Sequence, residues 1–272
     1  MENIGKIVFI GAGRMASAIA GGLLAKGFSK DNIAAIDKSK TSSAAFEKTT
    51  GKAPFIYDNV DEVSNLFKDA ELVILAVKPQ NVLELAGLSA EIKDKLVISI
   101  LAGVKIEKLQ AVSCSKKIAR VMPNTPALVG EGISAYSVSE AVSSDEIKKI
   151  EAVLGAVGKF CKVEEKLMDA VTGLSGSGPA YVFDFIQALA DGGVNAGLPR
   201  DIAMTLAAQT VKGAAVMTLE GGEHPSVLRD RVTSPGGTTA SGLAVLEKGA
   251  FRGIVSEAVV KAAAKSVERG KE

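Results

Sequence analysis

The chain has 272 residues, more than the roughly 100 to 200 of a single domain, so two domains with a sizeable buried core are expected. Its 32 basic and 31 acidic residues leave a formal charge of +1, with no electrostatic footprint for nucleic acid or an anionic membrane surface, so a small polar ligand is the better fit. Trp is absent and aromatics are few, so the helices are expected to pack through small side chains.

In chain order, the opening apolar run Ile7 to Ile10 is too short for a secretory core, and no later segment reaches about 18 uninterrupted apolar residues. A cytoplasmic protein without membrane contact is the expectation. From residue 6 to 163, β-branched runs ("KIVFI", "NIAAID", "APFIY", "ELVILAV", "KLVISI", "KIARVM") alternate with amphipathic stretches, the rhythm of βαβ units. Runs such as "LVILAV" are apolar throughout, as in a parallel sheet covered by helices on both faces, which predicts a doubly wound sheet over 1–163. After Glu164 the strand signals stop and 164–272 reads as helices: one near Pro179, one from Pro199 through Glu220, a short one near Pro225, and two that close the chain. Cys114 and Cys161 lack metal or redox spacing and are expected to be free thiols.

"IGAGRMA" places Gly11, Gly13 and Ala16 in G-x-G-x-x-G/A spacing between a strand and a helix. Gly11 permits the tight turn, Gly13 the approach of a pyrophosphate, and Ala16 the close packing of helix on strand. Asp37, at the end of the second strand, is placed to accept the hydroxyls of an adenosine ribose, whereas Lys38, Ser39 and Lys40 beside it could hold a 2′-phosphate; NADPH or NADH is the expected cofactor, with the choice open. "AVKPQN" and "ILAG" end the fourth and fifth strands on the ligand-binding side, where Lys78 could meet ribose or phosphate. "MPNTPA" is a rigid turn after the sixth.

His224, the sole histidine, reads as a solvated loop residue. There is no G-x-S-x-G elbow for a hydrolase and no histidine-rich set for a metal site, so hydride transfer from a dinucleotide remains. The β-hydroxyacid dehydrogenases use a Lys followed four residues later by Asn, a spacing this chain lacks. "TSPGGTTASGL", Thr233 to Leu243, carries more hydroxyls than a helix cap requires. If Thr233 or Ser234 caps the helix and Pro235 opens it, the amides of Gly236, Gly237, Thr238 and Thr239 form an anion site for a substrate carboxylate.

"IGAGRM" (10–15), "AVKP" (76–79), "MPNTPA" (122–127), "SGSGPAY" (175–181) and "VTSPGGTTASGL" (232–243) together resemble the pyrroline-5-carboxylate reductases over essentially the whole chain. The resemblance implies an N-terminal doubly wound (Rossmann) dinucleotide-binding domain and an all-helical C-terminal dimerisation domain. It further implies a homodimer with interleaved helices, gathered in some relatives into a decamer, and NAD(P)H-dependent reduction of 1-pyrroline-5-carboxylate to L-proline. By position, Ser234, Gly237, Thr238 and Thr239 correspond to the carboxylate and imine-nitrogen site, with Thr239 the hydrogen-bond donor. Ile10, Gly11, Ala12, Gly13, Arg14 and Met15 correspond to cofactor contacts, as do Ala76, Val77, Lys78 and Pro79, and Leu101, Ala102 and Gly103, with Asn59 near the adenosine ribose. The rival reading is another imine or β-hydroxyacid dehydrogenase of the same fold.

Overall fold

In the computed structural model, which describes residues 4–270, eight strands form one sheet in the order β3-β2-β1-β4-β5-β6-β7-β8. β1 (Lys6–Ile10) leads through α1 (Arg14–Ala25) to β2 (Ile33–Asp37), then through α2 (Lys40–Thr50) to the two-residue β3 (Phe55–Ile56). After the single turn α3 (Ser64–Phe67), the chain crosses to β4 (Ala70–Leu75) on the other side of β1. α4 (Ser89–Ile92), β5 (Leu96–Ser99), α5 (Ile106–Ser113) and β6 (Ile118–Met122) continue outward. The strands from β1 to β6 pair in parallel, as the sequence predicts, and the strand order reverses between β1 and β4, where doubly wound sheets bind ligands.

Alternation along β1 explains both layers. Ile7 and Phe9 enter one apolar cluster with Leu23 of α1 and Phe46 of α2, while Val8 and Ile10 enter the other with Phe67 and with Leu109 of α5. Neither face is left to solvent, which is why the strands read as unbroken apolar runs.

Two strands escape the six-strand reading. β7 (Gly132–Val138) is antiparallel to β6, and β8 (Gly158–Lys162) pairs with β7 in parallel through the crossover helix α6 (Ser144–Gly155). β7, "GISAYSV", mixes glycine and serines into its pattern, and the turn Thr125–Val129 suffices for an antiparallel return, so no helix announces it. β8 is the sheet edge, exposed and bearing Lys159 and Lys162, charges that discourage pairing with another chain.

The chain packs into two compact units: the first runs through Gly176 and takes back the chain from Lys261 onward, and the second is Ser177–Val260. The first therefore extends past β8 to the short helix α7 (Met168–Val171) and the π-helical turn Thr172–Gly176. Within it the last helix also ends, and Ser266 Oγ donates to Asp169 at 2.7 Å.

The second unit holds α8 (Gly178–Asn195), α9 (Arg200–Gly221), α10 (Pro225–Arg231), α11 (Thr238–Lys248) and most of α12 (Phe251–Arg269), matching the five helices expected from the prolines and glycines. Pro179 and Pro225 sit in the first turns of α8 and α10, and Gly222, at φ +65°, ends α9 in the left-handed conformation. α8 and α9 approach closely: a Cβ on Gly193 would meet that of Ala203 at 3.2 Å. The buried residues there are Ala190, Ala203 and Ala207. Among the described residues, α9 is long and apolar enough to cross a membrane by length and composition, yet only 11% of its apolar window is buried.

Candidate active site

The glycine loop is built by strand-end hydrogen bonds. Gly11 N–H donates to Ile36 O (2.8 Å) and Ala76 N–H to Ile10 O (2.8 Å), which draws the ends of β2, β1 and β4 together. Gly11 sits at φ +93°, and a Cβ there would lie 2.7 Å from the Ala76 carbonyl, so both conformation and space require glycine. Gly13, in contrast, faces open space and is the N-cap of α1 with no side-chain cap, which leaves the first amides of α1 without an intrahelical acceptor. Ala16 is buried where α1 meets the sheet. An open glycine before an uncapped helix start fits a pyrophosphate.

Beside this loop, Ile10, Gly11, Asp37, Lys38 and Val77, all expected cofactor contacts, line one cleft. Asp37 is held rigidly, with Oδ2 accepting from Ala12 N–H and Oδ1 from Ser39 N–H, each at 2.8 Å. Arg14 is exposed at the start of α1 and Met15 packs against its core. Lys78 is exposed and precedes Pro79, which opens a 3-10 segment over Pro79–Leu88. Leu101 is buried, Ala102 exposed and Gly103 at φ +77°, on the loop after β5, and none of the three lines this cleft. Asn59 is exposed; its Oδ1 accepts from Asp61 N–H and caps a short turn. The same loop instead contributes Tyr57 to the cleft, and burial pushes that phenol above its ordinary pKa, so it stays neutral. Asn81 closes the stretch "AVKPQN" expected on the ligand side, whereas nothing local marks Tyr57, after a two-residue strand, or Glu84, in a 3-10 segment, as cleft-facing.

In the second unit, the start of α11 differs from the expectation. Its N-cap is Gly237, and neither Thr233 nor Ser234 caps it. Ser234 to Gly237 forms a hydrogen-bonded turn, Gly237 N–H to Ser234 O at 3.0 Å, with Pro235 second and Gly236 third at φ +68°, the requirement of a type II turn. Pro235 therefore sets the turn and does not open the helix. The Gly237 amide is used in the turn, and the first helical amides, those of Thr238, Thr239 and Ala240, have no acceptor within α11. A Cβ on Gly237 would strike Ser234 Oγ at 2.4 Å, so Gly237 allows that hydroxyl to sit over the helix start. Thr233 Oγ1 donates to Arg229 O (2.7 Å), whereas the hydroxyls of Ser234, Thr238 and Thr239 make no hydrogen bond among the described residues. The hydroxyls of Ser234, Thr238 and Thr239 and a set of open amides at one helix start can bind an anion and donate a further hydrogen bond beside it.

Other residues take structural roles. His224 is exposed, and its Nδ1 accepts from Ser226 N–H (3.2 Å), capping α10. Asn124, 8% exposed, accepts from Ile133 N–H (3.0 Å) and ties "MPNTPA" to β7. Both cysteines are free. Arg120, 3% exposed, is a buried charge the sequence did not flag; it pairs with Glu165 (3.2 Å) and Asp169 (3.7 Å), as a buried guanidinium must. No cluster of metal-ligating side chains occurs among the described residues.

A family model described as pyrroline-5-carboxylate reductase dimerisation matches residues 165–269, and one described as NADP oxidoreductase, coenzyme F420-dependent, matches residues 6–103. The pyrroline-5-carboxylate reductase of Arabidopsis thaliana is 46% identical over 97% of this chain and 95% of its own. The chain belongs to the pyrroline-5-carboxylate reductase family. The reductase of Escherichia coli is 39% identical over 98% of both chains. The crystal structure of Plasmodium falciparum pyrroline carboxylate reductase with NADP bound superposes at a TM-score of 0.86, with 37% identity over 99% of each chain. As a pyrroline-5-carboxylate reductase the protein is an oxidoreductase that uses a nicotinamide dinucleotide, with an N-terminal dinucleotide-binding domain and a helical C-terminal dimerisation domain.

Proposed function

We propose that the start of α11 is the substrate site, with Ser234, Gly237, Thr238 and Thr239 holding L-1-pyrroline-5-carboxylate for reduction to L-proline, and that the loops 10–15, 76–79 and 101–103, with Asp37, Lys38 and Asn59, hold the dinucleotide. In this reading residues 1–163 serve the cofactor and 164–272 serve substrate and dimerisation. When bound, the reduced dinucleotide supplies a hydride to the carbon of the C=N bond. The substrate carboxylate lies on the open amides of Thr238, Thr239 and Ala240, at the positive end of the α11 dipole. The Thr239 hydroxyl hydrogen-bonds at the ring nitrogen and orients the C=N bond, and the nitrogen, protonated beforehand or by water or Thr239 as the hydride arrives at carbon, becomes the amine; a neutral hydroxyl is a poor acid, so alignment is the larger part of its contribution. The dimer forms through the helical unit in the cytoplasm, and dimers gather into a decamer. The observation that carries the site assignment is the uncapped helix start, with its free hydroxyls, behind a Pro-Gly turn.

Replacing Thr239 by Ala is expected to lower kcat on the imine by on the order of 10²-fold and leave the dissociation constant for NADPH unchanged, with Thr239→Ser retaining most of the activity. Stopped-flow single turnovers and calorimetric titration measure the two quantities. Full activity in the alanine variant removes Thr239 from the mechanism.

A further inference from the structure

The stretch Pro79–Leu88 runs as ten residues of 3-10 helix, an uncommon length for that conformation. At three residues per turn, side chains three apart eclipse one another. Val82, Leu85 and Leu88 form the buried row, and Asn81 and Glu84 form the next row, both lining the dinucleotide cleft. From there the half-exposed Glu84 carboxylate accepts a 2.7 Å hydrogen bond from Lys38 Nζ, the side chain immediately after Asp37. That hydrogen bond, opposed by slight desolvation, holds the ammonium above its ordinary lysine pKa, so it stays charged. The charged side chains lining the cleft are Asp37, Glu84 and Lys38, a net charge of one negative.

We propose that Glu84 is a selectivity residue: by engaging Lys38 and adding a carboxylate at the ribose end of the cleft, it weakens binding of a 2′-phosphorylated dinucleotide relative to one with a free 2′-hydroxyl. The inference rests on the reading that this cleft takes the adenosine ribose. A 2′-hydroxyl donates to the Asp37 carboxylate, whose oxygens each accept more than one hydrogen bond. A 2′-phosphate brings about two negative charges and only acceptors, and so needs Lys38 as its partner. Recruiting Lys38 strips Glu84 of its partner and leaves a second carboxylate facing the phosphate. Lysine beside the strand-end aspartate is thus not by itself a site for a 2′-phosphate, because a residue 46 positions later competes for it.

Calorimetric titration of NAD+ and NADP+ into the oligomer as purified tests this. Glu84→Gln is expected to raise the affinity for NADP+ relative to NAD+ by roughly fivefold, the scale of releasing one half-exposed ion pair and removing one nearby charge. Lys38→Ala added to Glu84→Gln is expected to cancel most of that gain. An affinity ratio unmoved by Glu84→Gln, with both dinucleotides still binding, overturns the inference and leaves the cleft assignment standing. The full gain persisting in the double variant overturns the role given to Lys38. If the unaltered protein binds neither dinucleotide, the cleft reading falls and this inference with it.

Discussion

The sheet unit and the helical unit bury their apolar residues in opposite ways. Around the sheet, Phe9, Leu23, Phe46 and Phe67 are each within 1% of complete burial, in two clusters that close both faces. In the helical unit the buried set is three alanines, while Leu219, Val245 and Ile254 are 82%, 71% and 62% exposed. A stable monomer does not leave so many large apolar side chains in water, and an apolar helix such as α9 is completed either by lipid or by protein. The match of this region to a dimerisation family fits a homodimer, in which a second copy of the chain would cover this face. The first unit closes its core within its own chain, whereas a unit completed by a second copy gains stability with protein concentration.

The sharpest way to break this contrast is to place charge on the open face of the helical unit. Leu206→Glu combined with Ile254→Glu, at positions 53% and 62% exposed, is expected to convert the oligomer to monomer and abolish turnover, with the molar mass read by light scattering after gel filtration. A variant that stays oligomeric would mean these faces are solvated. A core deletion in the sheet unit comes next. Phe9→Ala removes a ring packed edge-on against Phe46 (centroids 5.5 Å apart) and is expected to cost about 3–5 kcal/mol by denaturant titration, with a penalty that, unlike that of the helical unit, does not vary with protein concentration. The smallest effect expected is at α6. Partial burial works against the Glu146 carboxylate, but Lys117 (2.8 Å) and the Ser143 capping box together hold its pKa below the ordinary value of 4.5. A depressed folded pKa contributes stability that is present above the unfolded pKa and lost as pH falls through the folded one. Glu146→Gln should therefore cost about 1 kcal/mol near neutral pH and progressively less below pH 4.5, measured as denaturation midpoints across pH.

Much of the sheet unit was legible because double burial writes itself into sequence: β4 and β5 can only be apolar runs if both faces are covered, and Gly11 stands where a strand ends and a helix begins. β7 and β8 were not legible, since serines dilute one and the other is an exposed edge. The α11 start was half read. "SPGGTT" announced special backbone, but proline adopts nearly the same φ at the second position of a type II turn as at the first position of a helix, so Pro235 alone does not tell the two apart. Gly236, at φ +68°, decides between them. The cleft-lining Tyr57 and Glu84 stayed hidden because each reaches the site through a strand crossing or a 3-10 row with no local signature.

Taken alone, the order of residues established the alternation of strands and helices through β6, the glycine-loop geometry, the shift to helices after residue 164 and the family resemblance, because periodicity, glycine and proline act over a few neighbouring residues. Only the folded chain decided that Lys38 answers to Glu84, that Gly237 and not Thr233 or Ser234 caps α11, and that the helical unit has only a small alanine core of its own. Those depend on which distant side chains share a surface and how much water is left between them, quantities that no local pattern encodes.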